Sequence, residues 1–321
     1  MLSTIAMSSQ VTTQSHVSFR TVYQFSTIIT WIENIRVRQN GQLLVTLLTS
    51  PDIYLIDTTP GSSAQLVHSF PKLALLGLTE VKPDFFYIAA GNYSLATGLE
   101  NGSFSIYSLD FTSYDSSSSN TGIESKEIAS FPESRVFNGM DTLDVERSLI
   151  VIGDSMAGVI WLLNVETGEK RIFLSEPEMQ PPPPPAPQTG VNGLKVLKDG
   201  DRVWIYFSNT QKKTLCRIPV SFETLEIWGP VEILNQGIGF DDFVLDIESD
   251  IVFLADGTGN RIIEVPLGGG EASVFSDGIF GPTSVALGKG LAKGEVFVVT
   301  SGLNASSGFV EAGKIVEYKF R

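Results

Sequence analysis

The chain reads as an all-β protein: a six-bladed β-propeller with four strands per blade, its ring closed by an N-terminal strand that completes the last blade. Three observations predict this. Six segments begin alike, each with a small polar or acidic residue before a short apolar run: Glu33-Asn34-Ile35, Thr79-Glu80-Val81, Asn138-Gly139-Met140, Asn192-Gly193-Leu194, Asp241-Asp242-Phe243 and Thr283-Ser284-Val285. They recur about every 50 residues, and a repeat of that length built from short strands marks a propeller. The sixth repeat runs out of chain before its fourth strand, and a matching strand is available at the other end.

The elements follow in order. Each polar start is succeeded by a run rich in β-branched and aromatic residues, at 41–48, 84–90, 148–153, 202–208, 251–255 and 295–300, and such runs read as buried strands. A third run follows each, at 52–57, 103–110, 158–165, 214–220, 261–267 and 314–320, separated by turn residues such as Ser50-Pro51-Asp52. Outer strands are expected at 64–70, 123–131, 170–175, 231–234 and 272–275. The string SFRTVYQF at 18–25 resembles the outer strands LVHSF and EIASF, so it is expected to finish the sixth blade and leave no open edge around the circle. Residues 1–17 are expected to be a tail and 18–321 a single propeller. Two insertions lengthen the repeat: a Ser/Tyr/Asp/Asn-rich stretch at 111–121, and five prolines at 181–185. The prolines favour polyproline II and cannot join a sheet, so they form a stiff connector or a loop at the rim of the channel.

Composition narrows the function classes. The 321 residues are 42 % hydrophobic and 18 % charged, enough to bury a large core. A net charge of −14 argues against nucleic acid and anionic membrane surfaces as partners and otherwise reads as solubilising surface charge. No run of 18 apolar residues exists to span a bilayer. The Ser/Thr-rich start lacks the continuous apolar stretch of a signal peptide as it stands. Three sequons begin at Asn92, Asn101 and Asn304, and each would suit a glycan if the chain enters the secretory pathway, so the compartment stays open. The single cysteine, Cys216, sits in an alternating run and reads as a packed thiol.

Equivalent positions in a propeller lie on a ring around the central channel, so Glu33, Thr79, Asn138, Asn192, Asp241 and Thr283 are expected to face one another. All six carry oxygen, and such ligands suit a hard divalent ion such as calcium. Capping of strand ends is the alternative, and it is the expected role of Thr79 and Thr283. Two carboxylates and two amides focused on one axis need a partner, which favours function for Glu33, Asn138, Asn192 and Asp241. Trp31, Phe137, Phe240 and Phe243 lie beside these positions in sequence and are candidate apolar walls for a hydrophobic small-molecule substrate, with some of the neighbouring apolar residues expected to point between blades. The only histidines are His16, in the tail, and His68, in an outer strand, so a Ser-His-Asp hydrolase and a histidine-held zinc are disfavoured. No P-loop or dinucleotide fingerprint occurs in a strand-to-helix context.

The strings Trp31-Ile32-Glu33, Asn192-Gly193-Leu194, Phe240-Asp241-Asp242-Phe243 and Phe137-Asn138-Gly139 resemble those of the senescence-marker-protein/gluconolactonase-like family of six-bladed propellers, a resemblance running from about Trp31 to Phe320. It implies Glu33, Asn192 and Asp241 as ligands of a channel metal and Asn138 as a substrate contact. The sequence departs from that family after the glutamate, where Gly-Pro is replaced by Asn34-Ile35, and after the aspartate, where Gly-Met is replaced by Asp242-Phe243. Longer strings such as ENIRVRQNGQLLVT look like the fungal branch of the family, whose members often serve secondary metabolism. Some are hetero-Diels–Alderases that join a tropolone-type quinone methide to a sesquiterpene alkene.

Three functions follow as expectations. A cycloaddition needs no nucleophile, histidine base or cofactor, only an apolar cavity and hydrogen-bond donors. Asn138, Asn192 and Thr79 are the candidate donors, with Asp241 beside them and Thr283 lining the substrate site. A metal-dependent lactonase would instead use calcium or another divalent cation on Glu33, Asn192 and Asp241, with Asp241 or Asp242 as base. A non-catalytic binding propeller is the third, because fold alone proves no activity.

Overall fold

The computed structural model describes residues 17–114 and 123–320. The expected tail, with His16, and much of the 111–121 insertion lie outside these residues.

Among the described residues, six antiparallel four-stranded sheets follow one another in sequence order. The innermost strands are Ile32–Val37, Ala74–Lys82, Phe137–Asp144, Val191–Asp199, Phe243–Asp246 and Pro282–Leu287, and each blade meanders outward from there. Consecutive inner strands from the first to the fourth blade, and from the fourth on through the sixth back to the first, pack side by side, which closes the circle. The runs form strands because they are β-branched and aromatic, and nearly every residue in them is buried on both faces.

That double burial comes from the layering. Six apolar clusters each join two adjacent blades rather than the two faces of one sheet. Phe207, fully buried between the third and fourth blades, illustrates the scale: truncating such a phenylalanine to alanine costs about 3–5 kcal/mol. Cys216 lies in the same cluster as the packed thiol expected, its pKa pushed up to about 11 by burial.

The closing strand is observed. Val17–Gln24 pairs antiparallel with Lys314–Phe320, from Val17 opposite Phe320 to Gln24 opposite Lys314. The guanidinium of Arg20 pairs with the buried Glu317 and also donates to the Thr58 carbonyl at 2.7 Å, tying the strand to the first blade. The prolines at 181–185 join no strand. The turn before them is anchored by Met179 in the core and by Asn209 Nδ2, which donates to the Glu178 and Gln180 carbonyls.

Two features were not anticipated. Short hairpins, Tyr93–Ser94 with Gly98–Leu99 and Leu303–Asn304 with Gly308–Phe309, stand between the second and third strands of the second and sixth blades. They flank the first blade, where the Phe309 ring meets Trp31 edge-on at 6.2 Å.

Candidate active site

Hydroxyl groups stitch the inner strands together and set the height of the channel residues. Thr46 Oγ1 donates to the Leu76 carbonyl at 2.8 Å, Ser208 Oγ to the Asp241 carbonyl at 2.7 Å, and Thr283 Oγ1 to the Ile32 carbonyl at 2.6 Å. In the second, third and fourth blades a one-residue bulge opens the inner strand at Leu76-Gly77, Asn138-Gly139 and Asn192-Gly193. Neighbouring backbones close in on these glycines. A Cβ on Gly139 would sit 2.3 Å from the Asn192 carbonyl oxygen, and one on Gly193 would sit 2.7 Å from Asp242 Cα. The Asn-Gly doublets are thus sites of close strand approach, which only glycine permits.

This register corrects one member of the expected ring. Gly77 is equivalent to Gly139 and Gly193, so the second blade presents Leu76 at the ring position. Thr79 lies three residues further along, where its Oγ1 sits 3.2 Å from Thr142 Oγ1. The oxygen-bearing residue drew the sequence reading past the true start of the strand at Ala74. The missed signal was Gly77, the counterpart of the two Asn-Gly glycines.

Glu33, Asn138, Asn192 and Asp241 do come together. Burial raises the Glu33 pKa to about 7; the Trp31 indole and the Asn138 amide oppose the rise, and Asp242 adds to it. Trp31 Nε1 donates to Glu33 Oε2 at 2.7 Å. Burial also pushes Asp241 well above the ordinary carboxylate range, reinforced by the charges of Glu33 and Asp242 and opposed by the Asn192 amide. Asn192 Nδ2 donates to Thr210 Oγ1 at 2.9 Å, while its Oδ1 is buried with no hydrogen-bond partner. Thr283 spends its hydroxyl on the Ile32 and Val299 carbonyls, the capping role expected of it.

Beneath this cluster lies a polar plug. Asp242, 2 % exposed, accepts from Lys195 Nζ at 2.5 Å, Asn34 Nδ2 at 3.1 Å, Ser284 Oγ at 3.0 Å and the Phe243 amide at 2.8 Å. Four donors, one cationic, occupy both carboxylate oxygens. The pair separates two mouths. On the acidic side, Trp31, Asp241, Pro282, Thr283, Leu303 and Ala305 help line a cavity of about 160 Å³. On the other side opens a cavity of about 990 Å³.

The expected walls are corrected in part. Trp31 does line the acidic mouth. Phe137, Phe240 and Phe243 are fully buried instead: Phe137 packs on Phe104 and Phe131 between the second and third blades, and the other two between the fourth and fifth. Phe137 and Phe240 immediately precede a ring residue and Phe243 follows the plug residue Asp242, and at these positions the side chain points away from the axis, into the seam between sheets. Apolar contact at the mouth comes from Pro282, Leu303 and Ala305, the last two on a hairpin that the repeat pattern did not reveal. Tyr93, on the other hairpin, has its pKa raised by burial and by the charge of Glu33.

The donor set fits a hard divalent cation. Among the described residues no three His, Cys, Asp or Glu side chains cluster as a metal site, but two carboxyls and an amide oxygen without a partner converge here, and the charge of a cation would relieve the repulsion between Glu33 and Asp241. His68 is remote on an outer strand of the first blade, its pKa lowered by burial.

No protein-family model matches the chain. It is 25 % identical over 307 residues to a protein named as a hetero-Diels-Alderase in Phoma sp, covering 85 % of this chain and 84 % of that one. It is 27 % identical over 314 residues to a protein of Sarocladium schorii named as the hetero-Diels-Alderase asR5, covering 85 % and 76 %. Among solved structures, the calcium-binding protein regucalcin of Agrobacterium tumefaciens superposes with a TM-score of 0.64 at 14 % identity, over 95 % of each chain. The chain has the six-bladed propeller fold that the regucalcin structure also shows, and it is similar in sequence along most of its length to two proteins named as hetero-Diels-Alderases.

Proposed function

We propose that this protein is a biosynthetic pericyclase that carries out a hetero-Diels–Alder cycloaddition at the acidic mouth of its channel. The observation that carries the reading is the similarity to hetero-Diels-Alderases along most of the chain. In such a reaction an oxygen-containing diene and an alkene combine without a leaving group. One C–C and one C–O bond form, and three π bonds become one.

The demands of that reaction match the residues available. Holding the partners face to face supplies the effective molarity, up to roughly 7–11 kcal/mol of barrier in favourable cases. Negative charge grows on the heterodiene oxygen in the transition state, and donors aimed at that oxygen stabilise it. The Asn138 and Asn192 amides are the proposed donors, joined by Glu33 when protonated, since its pKa is raised to about 7; burial shifts Asp241 in the same direction. Thr79 is withdrawn from that role because Leu76 holds its place in the ring. Trp31, Pro282 and Thr283 contact the substrate. The open-mouthed cavity of about 160 Å³ is close in volume to the roughly 150 Å³ that admits benzene, so it takes one ring while the remainder of the reactants extends between the two hairpins. The proposed substrates are a quinone-methide-type heterodiene and a hydrophobic alkene.

The unpartnered Asn192 Oδ1 favours a second reading, a metal-dependent lactonase. Glu33, Asn192 and Asp241 would hold a calcium-like ion, which would supply Lewis-acid polarisation of a carbonyl oxygen. Asp241 would take a proton from water; Asp242, also expected as a base, has both oxygens occupied by Lys195, Asn34, Ser284 and the Phe243 amide and does not line this mouth.

The test incubates the protein with a quinone-methide precursor and a trisubstituted alkene, and separately with a γ- or δ-lactone, each with and without chelator. Adduct formed faster and with higher stereoselectivity than in buffer, lowered at least tenfold by Asn138→Ala, supports the cycloaddition. Adduct at the buffer rate and ratio removes it, and chelator-sensitive lactone hydrolysis installs the second reading.

The three sequon asparagines are proposed glycan sites for a secreted form, with Asn101 the most exposed. Among the described residues no helix is long and apolar enough to cross a membrane.

A further inference from the structure

The geometry points to a second small-molecule site at the mouth opposite the carboxylates, one that takes an uncharged, mainly apolar molecule with an oxygen acceptor at one end. Its inner end is a second ring. Arg36, Thr79, Asp141, Lys195, Val244 and Ala286 occupy equivalent places, each three residues after the upper-ring position of its blade, and all but Thr79 line one cavity of about 990 Å³. That volume is at the top of the range for small-molecule sites, roughly 300–1,000 Å³, and several times that of the acidic mouth.

The occupant follows from charge and wall chemistry. The cations around the cavity are matched: Lys195 with Asp242 at 2.5 Å, Lys289 with Glu80 at 2.6 Å, Lys293 with Glu248 at 3.0 Å and, more loosely, Arg36 with Asp141 at 3.9 Å. Asp246 and Glu264, which also line it, have no cationic partner among the described residues and accept instead from the Glu248 and Ser249 amides and from Ser273 Oγ. At the inner end, where Arg36 and Lys195 are paired, a ligand carrying a net charge would have to break a pair, and one left unpaired in a half-buried site is costly. The walls from Val244 through Leu245 to Ala286 and Leu287 are apolar. At the blind end the half-buried Arg36 guanidinium donates to the carbonyls of Ile35 and Met140 at 3.3 and 3.1 Å. Five N–H donors exceed those two acceptors, so it can also meet a ketone, ester or ether oxygen. This site does not depend on the reaction proposed above, because the Asp242–Lys195 plug divides it from the acidic mouth.

The test uses Prodan, a neutral naphthyl ketone whose emission shifts to the blue in apolar surroundings. Saturable one-to-one binding with a blue shift is expected. Ala286→Trp fills the cavity and is expected to weaken binding at least tenfold, and Arg36→Met, which removes the donor, at least threefold. Trp31→Ala, at the other mouth, is expected to leave binding within twofold. Should Ala286→Trp fail to fold by circular dichroism, Arg36→Met decides. No saturable binding, unchanged affinity in a folded Ala286→Trp or in Arg36→Met, or loss of binding in Trp31→Ala overturns the proposal.

Discussion

Replacing Lys195 by methionine isolates the interaction at the centre of the channel. The ammonium and the Asp242 carboxylate meet at 2.5 Å, with side chains 8 % and 2 % exposed, so water cannot take over when one partner is removed. Breaking such a buried pair costs about 3–5 kcal/mol, because the remaining charge stays buried without compensation. Asn34, Ser284 and the Phe243 amide still reach Asp242, which sets the expectation toward the lower end, about 3 kcal/mol. The matching change Asp242→Asn strands the ammonium instead and should cost a similar amount. In the double variant neither charge is left alone, so the losses should not add, and a coupling of about 2 kcal/mol or more is expected. Urea unfolding of the four proteins at pH 7 reads the cycle, alongside a fall in Tm on the order of 5 °C for each single variant. Additive losses, with coupling under about 0.5 kcal/mol, would refute the claim that these two buried charges compensate each other.

Gly77→Ala should destabilise by several kcal/mol or prevent folding, since the new Cβ would lie 2.1 Å from the Asn138 carbonyl oxygen; a Tm within 2 °C of the parent contradicts the register assigned to the second blade. Glu33 has a raised pKa, so the folded state binds more protons than the unfolded chain between about 4.5 and about 7, and the stability contributed by this group is lost as pH rises through that window. Glu33→Gln should therefore flatten the fall in Tm between pH 5 and pH 8 and raise Tm at pH 8, and an unchanged slope counts against the buried, repelled carboxyl. Calcium at millimolar concentration should raise Tm at pH 8 in the parent and not in an Asp241→Asn, Glu33→Gln double variant, measured by differential scanning fluorimetry. Deleting residues 1–24 removes the strand paired with Lys314–Phe320 and exposes Glu317, so a loss of at least 10 °C in Tm or insoluble expression is expected.

Much of this architecture was legible in one dimension. Strand runs, turn residues and a period near 50 reveal the blades, because every blade solves the same packing problem with the same alternation. The ring closure was legible too, since a sixth repeat lacking its outer strand and a spare strand at the start have one economical solution. Five of the six upper channel positions were legible because Asn-Gly doublets and polar or acidic starts mark where inner strands crowd together. Sequence order could not reveal which side of a bulged strand faces the axis: the one-residue bulge at Leu76-Gly77 moved the ring from Thr79 to Leu76, and the seams between blades claimed Phe137, Phe240 and Phe243. The pairing of Lys195 with Asp242, 47 residues apart, and the meeting of Arg36 with Asp141 across the channel exist only once the sheets are placed around an axis. Periodicity is a local property carried by neighbouring residues, whereas burial, charge pairing and cavity volume are set by side chains that distant blades bring together.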